Sequence, residues 1–135
     1  MARKVHADSV THTVVKTPLA PAAIGPYSQG ILVGHTLYCS GQIAIDPKTG
    51  SMITGGIADE AERVLENLGA VLRAVGMDYE NVVRCTVYLT DINTYAQVNE
   101  IYGRYFHEAP PAREAVQVAA LPRGAQVEIS CVAVR

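Results

Sequence analysis

Residues 57–90, IADEAERVLENLGAVLRAVGMDYENVVRCTVYLT, decide the fold class, because the period of their apolar side chains changes from that of a helix to that of a strand. From Ile57 to Val75 apolar residues recur at 57, 61, 64, 65, 68, 71, 72 and 75, the spacing of an amphipathic helix. Asp59, Glu60 and Glu62 load its first turn with negative charge, and Gly76 is a natural stop. Asn81 to Thr90 then alternates, with Val83, Cys85, Val87 and Leu89 on one face and Val82, Arg84, Thr86 and Tyr88 on the other.

Working outward, residues 11–16, 31–33 and 36–39 read as strands, the last two joined across Gly34-His35 as a tight hairpin. Asp46-Pro47-Lys48-Thr49-Gly50 has the chemistry of a turn. A second helix is predicted from Ile92 to Phe106, with Ile92, Tyr95, Val98, Tyr102 and Tyr105 at helical spacing. The chain closes with strands over 113–120 and 126–134, joined by Pro122-Arg123-Gly124. This order predicts an α+β domain, a mixed sheet with both helices packed on one face. Its other face is then bare, which points to association between copies.

With 135 residues the chain is one domain, 1–135, without repeats or linkers. Hydrophobic residues make up 49% and charged residues only 18%, apolar enough that some surface is expected to be buried between subunits. Seven tyrosines against one phenylalanine fit half-wet interfaces and pockets, or equally the boundary of a core. A net charge of -2, with Arg3-Lys4 the one basic cluster, argues against a general nucleic-acid binder. No apolar run has the character of a signal peptide or a membrane span, so a cytoplasmic location is expected. Cys39, Cys85 and Cys131 lie far apart in apolar runs and read as small buried hydrophobes. The four histidines have no metal-ligand spacing, and no metal site is expected.

Two charged residues stand out. In Pro110-Pro111-Ala112-Arg113-Glu114-Ala115-Val116-Gln117-Val118, the prolines force an extended approach and deliver Arg113 into an alternating strand. Arg113, Ala115, Gln117 and Ala119 share one face, small and polar enough to leave room for a carboxylate or phosphate against the guanidinium fork. A structural salt bridge or a solvated strand end accounts for the arginine as well. Glu128 lies on the polar side of the last strand with Gln126 and Ser130, where it fits either an edge charge or a proton-handling group.

The segment Ala20-Pro21-Ala22-Ala23-Ile24-Gly25-Pro26-Tyr27-Ser28-Gln29-Gly30, taken with Ser40-Gly41-Gln42-Ile43 and the arginine motif, resembles the Rid/YjgF family of reactive-intermediate deaminases. Asp46–Gly50, Glu66-Asn67-Leu68, Val98-Asn99-Glu100-Ile101-Tyr102, Ala119-Ala120-Leu121-Pro122 and Val127-Glu128-Ile129 extend the match over nearly the whole chain. The resemblance implies a chorismate-mutase-like fold, a mixed six-stranded sheet with two helices on one face; residues 1–10 are expected to form a loosely ordered amino-terminal extension. It implies a homotrimer with clefts between subunits that take small 2-imino or 2-oxo carboxylates, and hydrolysis of 2-iminobutanoate and 2-iminopropanoate to 2-oxo acids and ammonia without a cofactor.

By position, the resemblance makes Arg113 the grip on the substrate carboxylate and Glu128 the residue that orients or activates water. Tyr27, Ser40, Asn99 and Ala115 become pocket residues. Ala115 stands where some members carry cysteine, which excludes a thiol nucleophile there, and Ser130 stands where many carry a second acid. Other members of the family are described as endoribonucleases or translation inhibitors, which the scarcity of cations near the site supports poorly. A non-catalytic, metabolite-binding or chaperone-like trimer is a third reading.

Overall fold

The computed structural model describes Ala2–Lys4 and residues 11–135. Strands β1 (Ala2–Lys4), β2 (Thr11–Val15), β3 (Gly30–Val33), β4 (Thr36–Gln42), β5 (Val82–Leu89), β6 (Ala112–Gln117) and β7 (Val127–Val134) form one sheet in the order β1-β2-β3-β4-β7-β5-β6. The six expected strands are all present. A short seventh, β1, extends the edge beyond β2, and residues 5–10 of the expected amino-terminal extension lie outside the described residues. Every pairing is antiparallel except β5 with β6, which the helix α2 (Tyr95–Tyr105) connects as a crossover. The other helix, α1 (Ile57–Arg73), links β4 to β5, and β7 enters last between those two strands.

Both helices lie on one sheet face, as the apolar periods require. Val64, Leu65, Leu68, Val71 and Leu72 of α1 are buried against Leu37, Val127, Ile129 and Ala133, while Val98, Ile101 and Tyr102 of α2 join the same core. The helix α1 ends at Arg73, and Gly76, at φ 75°, turns the chain so that Met77 N donates to Leu72 O. Helix α2 starts later than expected. Residues 92–94 instead form a 3-10 turn, because the Asp91 carboxylate accepts from Asn93 N and holds the entry tight.

The alternation predicted for β5 fails at its start. Val82 is buried and Val83 exposed, because the register with β7 shifts between Val82 and Arg84. This bulge moves Val82 to the core face beside Cys85, Val87 and Leu89. A second register shift against β7, between Cys39 and Gln42, breaks the period at the end of β4, whereas in β7 it is kept: Val127, Ile129, Cys131 and Ala133 face the helices while Glu128, Ser130 and Val132 face away.

One buried amide ties helix to sheet. Asn67, with no exposed surface, donates from Nδ2 to Ile43 O at 3.1 Å and Ile45 O at 2.9 Å, and its Oδ1 accepts from Arg63 Nε at 3.1 Å. The loop that follows β4 has no ladder partner for those carbonyls, so α1 supplies one. Ile43 O also accepts from Ile45 N at 2.8 Å, so Asn67→Ala leaves Ile45 O as the carbonyl without a partner and should cost about 1–3 kcal/mol, measured by urea unfolding. An unchanged midpoint would mean that this loop draws its order from elsewhere.

Candidate functional site

Arg113 sits on β6 opposite Cys85 of β5, so its side chain leaves the sheet on the helix face. There it meets α2. Its Nη2 donates to the Tyr95 hydroxyl at 2.8 Å, and its Cζ lies 4.7 Å from the Tyr102 ring centroid and 5.4 Å from that of Tyr95. Among the described residues no carboxylate forms an ion pair with it. The adjacent Glu114, one residue on, points to the opposite face, where it pairs with Arg84 at 2.5 Å and accepts from Thr86 Oγ1 at 2.9 Å. Those contacts hold the Glu114 carboxyl below the usual carboxylate value, first through Thr86 and then through Arg84. The salt-bridge reading of Arg113 therefore does not apply; its partners are aromatic.

Ala115 is half-buried on the same side of β6 as Arg113. Asn99 lies one turn after Tyr95 and three residues before Tyr102, on the side of α2 that faces Arg113. Arg113, Tyr95 and Tyr102 thus make one cluster, with Ala115 beside the arginine on β6 and Asn99 at the same helical spacing on α2. The tyrosines were missed as partners of the arginine because helical spacing alone places them at a core boundary; the β5–α2–β6 crossover is what lays them over β6.

Glu128 belongs to a second cluster. It pairs with Tyr88 on the open face of the sheet and lines a cavity of about 60 Å³ with Tyr27, Gln29, Gly41, Ile43 and Pro122 among its walls. Burial raises the Glu128 carboxyl above the ordinary carboxylate value. Tyr27, half exposed, accepts from Ile24 N at 3.2 Å. Ser40 donates its hydroxyl to Ser28 O at 2.5 Å, joining β4 to the loop that carries Tyr27. That loop is stapled by Gln29, another buried amide, whose Oε1 accepts from Thr17 N at 2.7 Å while Nε2 donates to the carbonyls of Thr17, Ala20 and Pro21. A glutamine in a loop motif carries no signal of such a role; only the closed loop reveals it.

The two clusters do not meet within one chain. Arg113 is on the helix face of an edge strand, Glu128 is on the open face of a central strand, and β5 lies between them. The pleat sends the two side chains to opposite sides of the sheet.

The cysteines also differ from the expectation in one respect. Remote in sequence, they stand side by side, in the row Gly30–Cys39–Cys131–Cys85–Arg113 across five strands. They are buried and unpaired. Burial pushes the Cys85 thiol up to about 11, and a hydrogen bond with Cys39, with burial, raises Cys131. Thiols held protonated in this way pack as small hydrophobes.

A family profile described as Endoribonuclease L-PSP matches residues 17–135. The chain belongs to that family. It is the group that includes the Rid proteins, and the match covers both clusters. A mouse relative named 2-iminobutanoate/2-iminopropanoate deaminase is 52% identical over 127 residues, 94% of each chain. The crystal structure of a putative endoribonuclease from Thermotoga maritima is similar with a TM-score of 0.89 and 49% identity, over 91% of this chain and 97% of its own. The Escherichia coli TdcF structure with bound serine has a TM-score of 0.87 at 39% identity, over 91% of this chain and 98% of that one. Among the described residues no helix is long and apolar enough to cross a membrane.

Gly41 makes room for the catalytic candidate in this L-PSP member. A Cβ at position 41 would overlap the Glu128 carboxylate. Gly41→Ala should cost about 1–3 kcal/mol and turn Glu128 out of the Tyr27 cavity, which a crystal structure of the variant checks; a Glu128 left in place would show that the backbone yields instead.

Proposed function

We propose that the protein hydrolyses small 2-imino acids, 2-iminobutanoate and 2-iminopropanoate, to 2-oxo acids and ammonia, in clefts shared between subunits of a trimer. The observation that carries this reading is the pair of complementary half-sites. One offers a guanidinium fork without an acid partner, and the other a carboxyl group raised by burial beside a small cavity. The deaminase name of the mouse relative and the serine bound to TdcF support it.

The chemistry follows from the two groups. Arg113 grips the substrate carboxylate and fixes the adjacent C2 against a water molecule. Glu128, as carboxylate, takes a proton from that water as its oxygen bonds to C2, giving a carbinolamine. The same carboxyl returns that proton to nitrogen and then relays the hydroxyl proton to it as the C–N bond breaks, so that ammonia leaves and the hydroxyl oxygen becomes the carbonyl of the 2-oxo acid. Tyr27, Ser40, Asn99 and Ala115 shape the cleft. Imines hydrolyse readily in water, so positioning and one proton relay suffice without metal or cofactor.

Association of copies supplies the missing half. The open sheet face exposes Tyr38, Val83, Val116 and Val134, an apolar surface suited to burial against another subunit. If Arg113 of one copy serves Glu128 of the next, the contact is head-to-tail and closes into a ring. Three copies are the number that the family resemblance implies. A cytoplasmic location is part of this reading and fits the three unpaired cysteines.

Arg113→Lys should nearly abolish hydrolysis and weaken 2-oxobutanoate binding, since lysine keeps the charge but loses the two-pronged geometry. Glu128→Gln should keep binding while turnover falls by about 10²-fold or more. With Glu128 acting as carboxylate, the parent's rate should fall as pH drops through a midpoint above the ordinary carboxylate value, and this acid limb should vanish in Glu128→Gln. The readout is a coupled assay in which an amino-acid oxidase generates the imine. Full hydrolysis in both variants would return the site to a binding role, and loss of an RNA-cleaving activity in the same variants would favour the nuclease.

Shared clefts give a sharper test. Arg113→Ala and Glu128→Gln subunits, each inactive alone, should after mixing and subunit exchange recover about a quarter of parental activity, because one cleft in four receives both intact residues. Sedimentation equilibrium should find a trimer. A monomer, or mixtures that stay inactive despite exchange, would remove the shared-cleft arrangement.

A further inference from the structure

Arg113 is held by hydroxyl and ring, not by charge, and this has a geometric consequence. A guanidinium has two edges with parallel donors, Nε with Nη2 and Nη1 with Nη2. Both edges use Nη2, through different hydrogens. The Tyr95 hydroxyl accepts from Nη2 at 2.8 Å, so it occupies one edge and leaves the other whole. Tyr102, buried, forms a fixed floor 4.7 Å beneath Cζ, and Tyr95, 39% exposed, stands at the rim.

We propose that Tyr95 is a positioning residue that sets the edge, and so the direction, from which a substrate carboxylate meets Arg113. The role rests on the carboxylate-binding reading above. Tyr95 is well placed for it, because the 3-10 turn before α2 is tied to β6: Ile92 N donates to Gln117 Oε1 at 2.8 Å. That bond fixes the first residue of α2 over the same strand that carries Arg113. Glu114 is engaged by Arg84 and Thr86 on the opposite face and does not compete for the guanidinium. With one edge committed in advance, the fork pays little orientational entropy when the carboxylate arrives. Because Arg113 both grips the carboxylate and fixes C2 against the water, a guanidinium freed from its set edge loses affinity and places C2 less well, so KM and kcat both respond.

The test is Tyr95→Phe, which keeps the ring under the cation and removes the acceptor. The dissociation constant of 2-oxobutanoate, measured by calorimetry, should rise about tenfold or more, the scale of one hydrogen bond to a charged group. KM for the imino acid should rise by a similar factor and kcat should fall severalfold, with the melting temperature unchanged. In ligand-free protein, nitrogen NMR should find separate Nη signals for Arg113 in the parent and averaged signals in the variant. An unchanged dissociation constant with separate signals in Tyr95→Phe overturns the role, and so does a fall in kcat accompanied by a lower melting temperature. Parent protein that binds no 2-oxobutanoate overturns the carboxylate reading and this role together, whereas parent binding with an indifferent variant overturns the role alone.

Discussion

The pleat of the sheet imposes the constraint on which the rest of this molecule depends. Each strand must send alternate side chains to opposite faces, and one face is committed to α1 and α2. A residue of β6 in register with Cys85 has to point toward the helices, and a residue of β7 between Val127 and Ile129 has to point away from them. Arg113 and Glu128 are those residues. The two side chains leave opposite faces of the sheet, so the proposed chemistry, which uses both, requires two chains.

The open-face half of the site is built from polar groups that the core could do without. Gln29 and Asn67 are amides buried almost completely, and each satisfies backbone groups of irregular chain that no ladder reaches. Their work is positional: Gln29 closes the loop that carries Tyr27, and Asn67 holds Ile43 and Ile45, two walls of the same small cavity. Gly41 and Glu128 share the remaining space, one by lacking a side chain and the other by accepting partial desolvation. A carboxyl group raised by burial costs stability at neutral pH, the usual exchange of stability for a useful proton affinity.

The helix-face half works differently. An arginine paired to glutamate would be neutralised before any ligand arrived, whereas tyrosine rings and a hydroxyl orient the cation and leave its charge uncompensated. Glu114, the nearest acid in sequence, is kept away by the same alternation that separates Arg113 from Glu128, and Arg84 engages it on the other face. The fold thus leaves the Arg113 guanidinium without a carboxylate partner among the described residues.

Much of this was legible in the sequence because it rests on local periodicity. The 3.6-residue recurrence over 57–75 gave α1, the alternation in the last strand put Glu128 on the polar side, and Gly34, Gly50 and Gly76 marked turns that the backbone indeed takes with positive φ. Family motifs marked Arg113, Glu128, Tyr27, Ser40, Asn99 and Ala115 as site candidates, which the structure gathers into two clusters. Local pattern fails where pairing between distant strands decides. A register shift against β7 moved Val82 to the core, three remote cysteines became neighbours in one row, and a crossover helix laid Tyr95 and Tyr102 over Arg113. Strand identity is a property of a segment, readable from its own residues, whereas register, neighbours and the face on which two charges can meet are set by hydrogen-bonded pairing across the whole sheet, which no segment contains.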